Sequence, residues 1–151
     1  MMNTLILGIG NLLMGDEGVG IHVVRRLEES APMHNVDIVD GGTGGFHLLG
    51  FFQNYERVIL VDATMDEHPL GTIRRVHPKF LNDYPPTLTA HEIGLRDLLE
   101  ALYMLDTQPP IVLFTITIGA FSEMSLELSP EVLAAVPKAA QAVVNYLEST
   151  V

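Results

Sequence analysis

Two adjacent carboxylates, Asp16 and Glu17, follow directly on a glycine turn in the run TLILGIGNLLMGDEGVG near the start of the chain. An apolar stretch, a Gly8-x-Gly10 turn and a following helix ordinarily cradle phosphate, because free backbone N–H groups and the helix dipole favour an anion there. Here the helix start carries its own anions, and Leu13 stands where the dinucleotide fingerprint needs its third glycine. The loop therefore reads as a cation site. Asp62, at the end of VILVDA, and His91, at a helix start after a long proline-containing loop, supply a second carboxylate and an imidazole. Glu17, Asp62 and His91 make a donor set suited to Ni, Zn, Co or Mn, with positions left open for a substrate. Asp40, heading DGGTGG, occupies the place of a ribose-binding acid in a dinucleotide fold.

Structural roles compete with each of these. Asp16 can serve as a helix N-cap or first-turn acid, and Glu17 can complement the helix dipole. Asp40 can cap a turn through its side chain. A lone histidine such as His91 often starts a helix or packs. Asp62 resists such explanation, since a carboxylate ending a buried strand is costly unless it is paired, hydrogen-bonded or metal-bound. His22, His34, His47, His68 and His77 lack ligand-like spacing and read as surface or packing residues. Other chemistries fail on their own terms. There is no G-x-S-x-G nucleophile elbow, and the second histidine of an H-E-x-x-H helix begun by His91-Glu92 falls on Leu95.

The elements that must position these groups alternate along the chain, as in an α/β sheet with helices on both faces. Strands are expected near Thr4 to Ile9, Val36 to Asp40, Arg57 to Asp62, Thr72 to His77 and Ile111 to Ile118. The first, third and fifth are nearly continuous apolar runs, the mark of interior strands buried on both faces. The fourth carries Arg74 and Arg75 and reads as an edge strand. Its short approach through Pro69 and Gly71 suits an antiparallel return, so the expected architecture is three-layer α/β/α with a five-stranded, mostly parallel mixed sheet. Val19, Val23 and Leu27 give the first helix, Asp16 to Glu29, a buried stripe, with Arg25 and Glu29 toward solvent. A shorter helix is expected after Gly44-Gly45, and another after Thr89 with Ile93, Leu98, Leu99 and Leu102 as its apolar face. Residues 78–90 form a long loop of the kind often used for function. Ser129-Pro130-Glu131 opens the last helix with a cap, a first-position proline and a first-turn acid, and Pro137 should kink or restart it.

At 151 residues, 48% hydrophobic and 18% charged, the chain suits one compact domain, residues 1–151, with a proper core. Eight Lys and Arg against nineteen Asp and Glu leave a formal charge of −11, which argues against nucleic acid or anionic membranes and favours a basic or cationic partner. With no cysteine there is no disulfide, thiolate site or cysteine nucleophile, and a cytoplasmic address is expected. No basic region precedes the first apolar run, so no secretory signal is expected, and nothing approaches the ~20 apolar residues of a membrane span.

Taken in order, LGIGNLLMGDEGVG, VDIVDGGTGG, VILVDA and TAHEIGLRDLL resemble a [NiFe]-hydrogenase maturation endopeptidase across essentially the whole chain. The resemblance implies removal of a C-terminal extension from a hydrogenase large-subunit precursor once nickel has been inserted. It implies nickel coordination at the positions of Glu17, Asp62 and His91, with the metal borne by the substrate and bound weakly by the free protein. Asp16 matches an acidic position beside the first ligand, and Asp40 an aspartate implicated in substrate handling; these two are the catalytic candidates. The family is sometimes grouped with aspartic peptidases, although this sequence has no D-T-G pair for a shared-proton dyad. Its segment ITIGAFSEMSLELSPEV departs from the proline-containing loop of many relatives and is expected to border the same sheet edge, where it would bear on which hydrogenase partner is accepted. The chain is expected to act as a monomer. The alternatives are a nickel delivery or sensing module without proteolysis, and a dinucleotide-binding oxidoreductase.

Overall fold

The computed structural model describes residues 3–30, 33–42, 48–84, 95–105, 108–119 and 124–150. Five strands, β1 (Thr4–Gly8), β2 (Val36–Asp40), β3 (Arg57–Thr64), β4 (Ile73–Val76) and β5 (Ile111–Thr117), form one sheet in the order β2-β1-β3-β5-β4. All neighbours run parallel except β4, which is antiparallel to β5. The three apolar runs are thus the three interior strands. Among the described residues the α-helices are α1 (Val19–Glu28), α2 (Leu49–Phe52), α3 (Leu95–Leu105) and α4 (Pro130–Ser149).

Strand alternation divides the core in two. Ile6, Ile59, Val61, Val112 and Phe114 face α1 and α4, meeting Val23, Leu27, Ala139 and Val143. Leu5, Leu7, Val58, Leu60 and Leu113 face the other way, onto Phe52 of α2 and Leu98, Leu99 and Leu102 of α3. Each such wholly buried leucine contributes roughly 1.5–3 kcal/mol relative to an exposed one. The Val19, Val23, Leu27 stripe is buried, and Arg25 and Glu29 are exposed, as the periodicity requires.

Four expectations need amendment. The first helix does not run unbroken from Asp16: a 3-10 turn, Gly15–Gly18, precedes α1 at Val19. Glycines at 15, 18 and 20 weaken α-helical preference there, and the tighter turn tucks Glu17 inward. The antiparallel return of β4 is made against β5, which inserts between β4 and β3; burying both faces of the apolar β5 requires an interior place. Ser129 stands at the N-cap of α4 with Pro130 in the first turn, yet its side chain makes no cap bond to its own helix. Pro137 lies inside one continuous helix and does not restart it. The first half of the 78–90 loop is anchored by Asp83, which accepts hydrogen bonds from the N–H groups of Lys79 and Phe80 at 2.9 Å each, and by Tyr84, buried against α3.

Candidate active site

Among the described residues, Glu17 and Asp62 are the two carboxylates the fold withdraws from water, at 1% and 0% exposure. Both lie at the carboxyl end of the parallel strands, where the loops of an open α/β sheet carry function. Close packing of backbone brings them there. The Ile9 N–H bonds the Val61 carbonyl at 2.9 Å, and Gly20 of α1 sits on those same two strands. A Cβ at Gly20 would lie 2.4 Å from the Ile9 oxygen and 2.4 Å from the Val61 oxygen. Gly10 has a similar role, since a Cβ there would come within 2.4 Å of the Glu17 carbonyl oxygen. Only bare glycine lets the loop after β1 fold back on the turn that carries Glu17.

Asp62 belongs to a polar band that sequence reading did not single out. Counting by twos from the apolar Leu60 and Leu113, Asp62 and Thr64 of β3 share the α3 face with Thr115 and Thr117 of β5. The register sets Asp62 beside Thr115 and Thr64 beside Thr117, and all four are buried. The opposite face stays apolar through Val61, Ala63, Phe114 and Ile116. The α3 face therefore changes from hydrocarbon to carboxylate and hydroxyl at its functional end, with the Asp62 carboxylate accepting a hydrogen bond from the Ala63 N–H at 2.8 Å. The signal was present as T-x-T in FTIT and D-x-T in VDAT, a period of two inside otherwise apolar strands.

Asp66, just beyond β3, extends this band. It accepts hydrogen bonds from the Thr117 hydroxyl at 2.7 Å and the Arg74 guanidinium at 3.4 Å. Burial pushes its carboxyl pKa up, but the bonds from Thr117, the His68 N–H and Arg74 outweigh burial and leave it below the usual value.

The remaining candidates have defined neighbours. Asp16 does not cap its own helix: its carboxylate accepts the Ser129 N–H and the Ser129 hydroxyl, each at 2.7 Å. It thereby ties the first loop to the start of α4, 113 residues away. The segment before α4 docks there too, through Gly15 N–H to the Ser125 carbonyl at 2.7 Å and Ser125 N–H to the Leu13 carbonyl at 2.8 Å. Ser125 and Ser129, before α4, thus border the candidate site. Asp40 caps its turn, accepting the Gly42 N–H at 2.9 Å, and stands 3.8 Å from Arg25 with 40% of its side chain exposed. His91 and His47 lie outside the described residues. Among the described residues, no three His, Asp or Glu side chains gather where they could share one metal ion. His22 is a packing residue, its pKa lowered by burial and then by Arg25.

The family model described as hydrogenase maturation protease matches residues 21–146, the greater part of the chain. The chain belongs to the hydrogenase maturation protease family. Its relatives include the hydrogenase 2 maturation protease of Escherichia coli, 32% identical over 156 residues that take in 99% of this chain and 93% of that one. The solved structure of the hydrogenase maturating endopeptidase HybD from E. coli matches with a TM-score of 0.86 at 31% identity, covering 99% of this chain and 94% of that one. The [NiFe] hydrogenase maturation protease HybD from Thermococcus kodakarensis matches with a TM-score of 0.78 at 27% identity, covering 96% and 99%. As a hydrogenase maturation protease the chain is a hydrolase of peptide bonds, which sets aside the dinucleotide-binding alternative. In keeping with that, the position of the missing fingerprint glycine, Leu13, is 59% exposed. Among the described residues, no helix of this maturation protease is long and apolar enough to cross a membrane.

Proposed function

We propose that this protease removes the C-terminal extension of a nickel-loaded [NiFe]-hydrogenase large-subunit precursor, acting as a monomer in the cytoplasm. Nickel in this reading arrives with the substrate, and Glu17, Asp62 and His91 complete its coordination and so position the scissile peptide. The observation that carries the reading is the burial of two carboxylates, Glu17 and Asp62, at the carboxyl end of one sheet beside a band of threonine hydroxyls. Desolvating charge in this way costs stability, and a cationic ligand offsets that cost.

Asp16 and Asp40 then divide the remaining work. Both Asp16 oxygens are engaged by Ser129, so we assign it to holding the first loop against α4. Asp40 keeps a half-exposed carboxylate beside the same loops, its Gly42 tied to Gly10 by a 2.7 Å backbone bond. We assign it the proton from the attacking water. Hydroxide adds to the scissile carbonyl, the C–N bond breaks, and the proton passes to the leaving amine. This is acid-base chemistry on a single carboxylate, outside the shared-proton aspartic scheme.

Intact mass of the cognate precursor, nickel-loaded and nickel-free, after incubation with the protein or its Asp62→Ala variant tests the reading. Loss of a C-terminal peptide from the loaded precursor alone, and with the unaltered protein alone, is the expected result. Binding of the loaded precursor without any loss of mass would instead indicate a nickel delivery or sensing module.

A further inference from the structure

Arg57, Arg75, His77 and Lys79 gather at the end of the sheet opposite Glu17 and Asp62. β3 and β5 begin there, β4 ends there and α4 finishes there, framing a groove of about 440 Å³ lined by Arg57, His77, Lys79, Tyr103, Gln108 and Tyr146 among others. Register explains the arrangement. Arg75 pairs with Phe114 of β5, and Arg57 precedes Val58, which pairs with Ile111, so both arginines occupy α4-face positions on strands either side of β5. Both guanidiniums meet the Tyr146 ring of α4, at 5.6 Å for Arg57 and 5.1 Å for Arg75 from its centre, and the His77 ring lies 5.9 Å away.

The chain has eight Lys and Arg against nineteen acids, yet no carboxylate of the described residues lines this groove. Nor does Arg57, Arg75 or Lys79 form an ion pair among the described residues. Like charges held around one ring repel unless an anion joins them. Arg57 is fixed by donating to the Thr4 hydroxyl at 3.1 Å and the Thr150 hydroxyl at 2.6 Å, with other N–H groups of its fork still available. Gln108 adds a different requirement, because its buried Oε1 accepts no hydrogen bond. A polypeptide N–H can supply that donor once the side chain turns into the groove, whereas the ionised oxygens of a phosphate only accept. Spacing points the same way. The two guanidiniums approach one ring from strands two places apart, at 5.6 Å and 5.1 Å from its centre, an arrangement that a segment bearing several carboxylates can bridge.

We propose that this groove binds an acidic polypeptide segment, its carboxylates engaging Arg57 in the lining and Arg75 beside Tyr146 at the margin, and a backbone N–H meeting Gln108. The net negative charge predicts a cationic partner for the molecule as a whole; the groove is a local exception, with Lys79 at its rim to draw the segment in. The proposal stands apart from the peptidase reading, since binding is measured without cleavage.

The test is fluorescence anisotropy of a dye-labelled hexaglutamate peptide with the full chain, using hexaglutamine and tripolyphosphate as competitors. Saturable binding is expected, weakening at least about tenfold between about 50 and about 200 mM salt. Arg75→Gln and Lys79→Gln, both at exposed positions, should each weaken it roughly five- to tenfold, and Arg26→Gln on α1 should leave it unchanged. Gln108→Leu should weaken hexaglutamate binding but not tripolyphosphate binding, with thermal melts confirming that each variant is folded. Absence of saturable binding at low salt, an undiminished affinity in Arg75→Gln, or displacement by tripolyphosphate at concentrations no higher than the peptide's own would each overturn the proposal.

Discussion

Replacing Asp16 with alanine should unfasten the first loop from α4, and the size of the effect can be worked from the contacts. Two hydrogen bonds of 2.7 Å end on this carboxylate, from the Ser129 N–H and the Ser129 hydroxyl. Bonds to a charged acceptor contribute about 1.5–3 kcal/mol each, and the partial exposure of Asp16 puts both near the lower end. The carboxylate also lies at the N-terminus of the 20-residue α4, a favourable place for negative charge. Asp16→Ala should therefore cost about 3 kcal/mol, or roughly 6–12 °C in Tm for a chain of this length. Asp16→Asn keeps an oxygen acceptor for the N–H and should cost about half as much. The assay is urea denaturation at neutral pH, with Ser129→Ala and the double variant closing a cycle; a coupling of about 1 kcal/mol or more is expected. A cost below about 0.5 kcal/mol for Asp16→Ala, or a cycle without coupling, would refute the clamp. The assignment of chemistry is exposed as well. If Asp16→Asn stays folded but loses precursor cleavage by about a hundredfold or more, Asp16 is the proton acceptor and the division of roles with Asp40 is wrong.

Glu17→Gln and Asp62→Asn should each lower precursor processing by about a hundredfold or more without loss of Tm, because a neutral isostere relieves the desolvation of a buried carboxylate; processing at the unaltered rate in either variant would contradict their assigned role. Gly20→Ala should destabilise by about 3 kcal/mol or more, since its Cβ meets two backbone oxygens at 2.4 Å that cannot rotate away, and denaturant unfolding that places it within about 0.5 kcal/mol of the parent would show that the packing of α1 on β1 and β3 is looser than described. Asp66 has a carboxyl pKa held below its usual value by Thr117, His68 and Arg74 against the opposing effect of burial, so the stability it contributes is present above the unfolded pKa of about 3.9 and is lost as pH falls through the lower folded value. Asp66→Asn should accordingly be less stable than the parent at pH 7 and converge with it at the acid end of a urea series; a constant gap across that series would rule out the linkage.

The sequence alone determined the order and kind of the elements. Apolar runs in LILGI, VILV and IVLF can be satisfied only by strands covered on both faces, and the Val19, Val23, Leu27 spacing can be satisfied only by a helix lying on them. Asp62 was legible for the same reason, as a charge at the end of a run that must be buried. Partners distant along the chain were not legible. Asp16 read as a cap for the helix beside it, and only the folded chain shows its carboxylate taken by Ser129 at the other end of the sequence. The antiparallel direction of β4 followed from its short approach, but its neighbour was decided by the need to enclose β5. The threonines beside Asp62 carry no charge to announce them, and a period of two becomes a polar band only when register sets Thr115 against Asp62. The basic groove is likewise a product of tertiary structure, because Arg57, Arg75 and Tyr146 lie on three elements and share no local pattern. Local periodicity is dictated by backbone geometry and so is written in the sequence, whereas the juxtaposition of polar side chains depends on which strands become neighbours, and that is settled by burying the whole apolar surface at once.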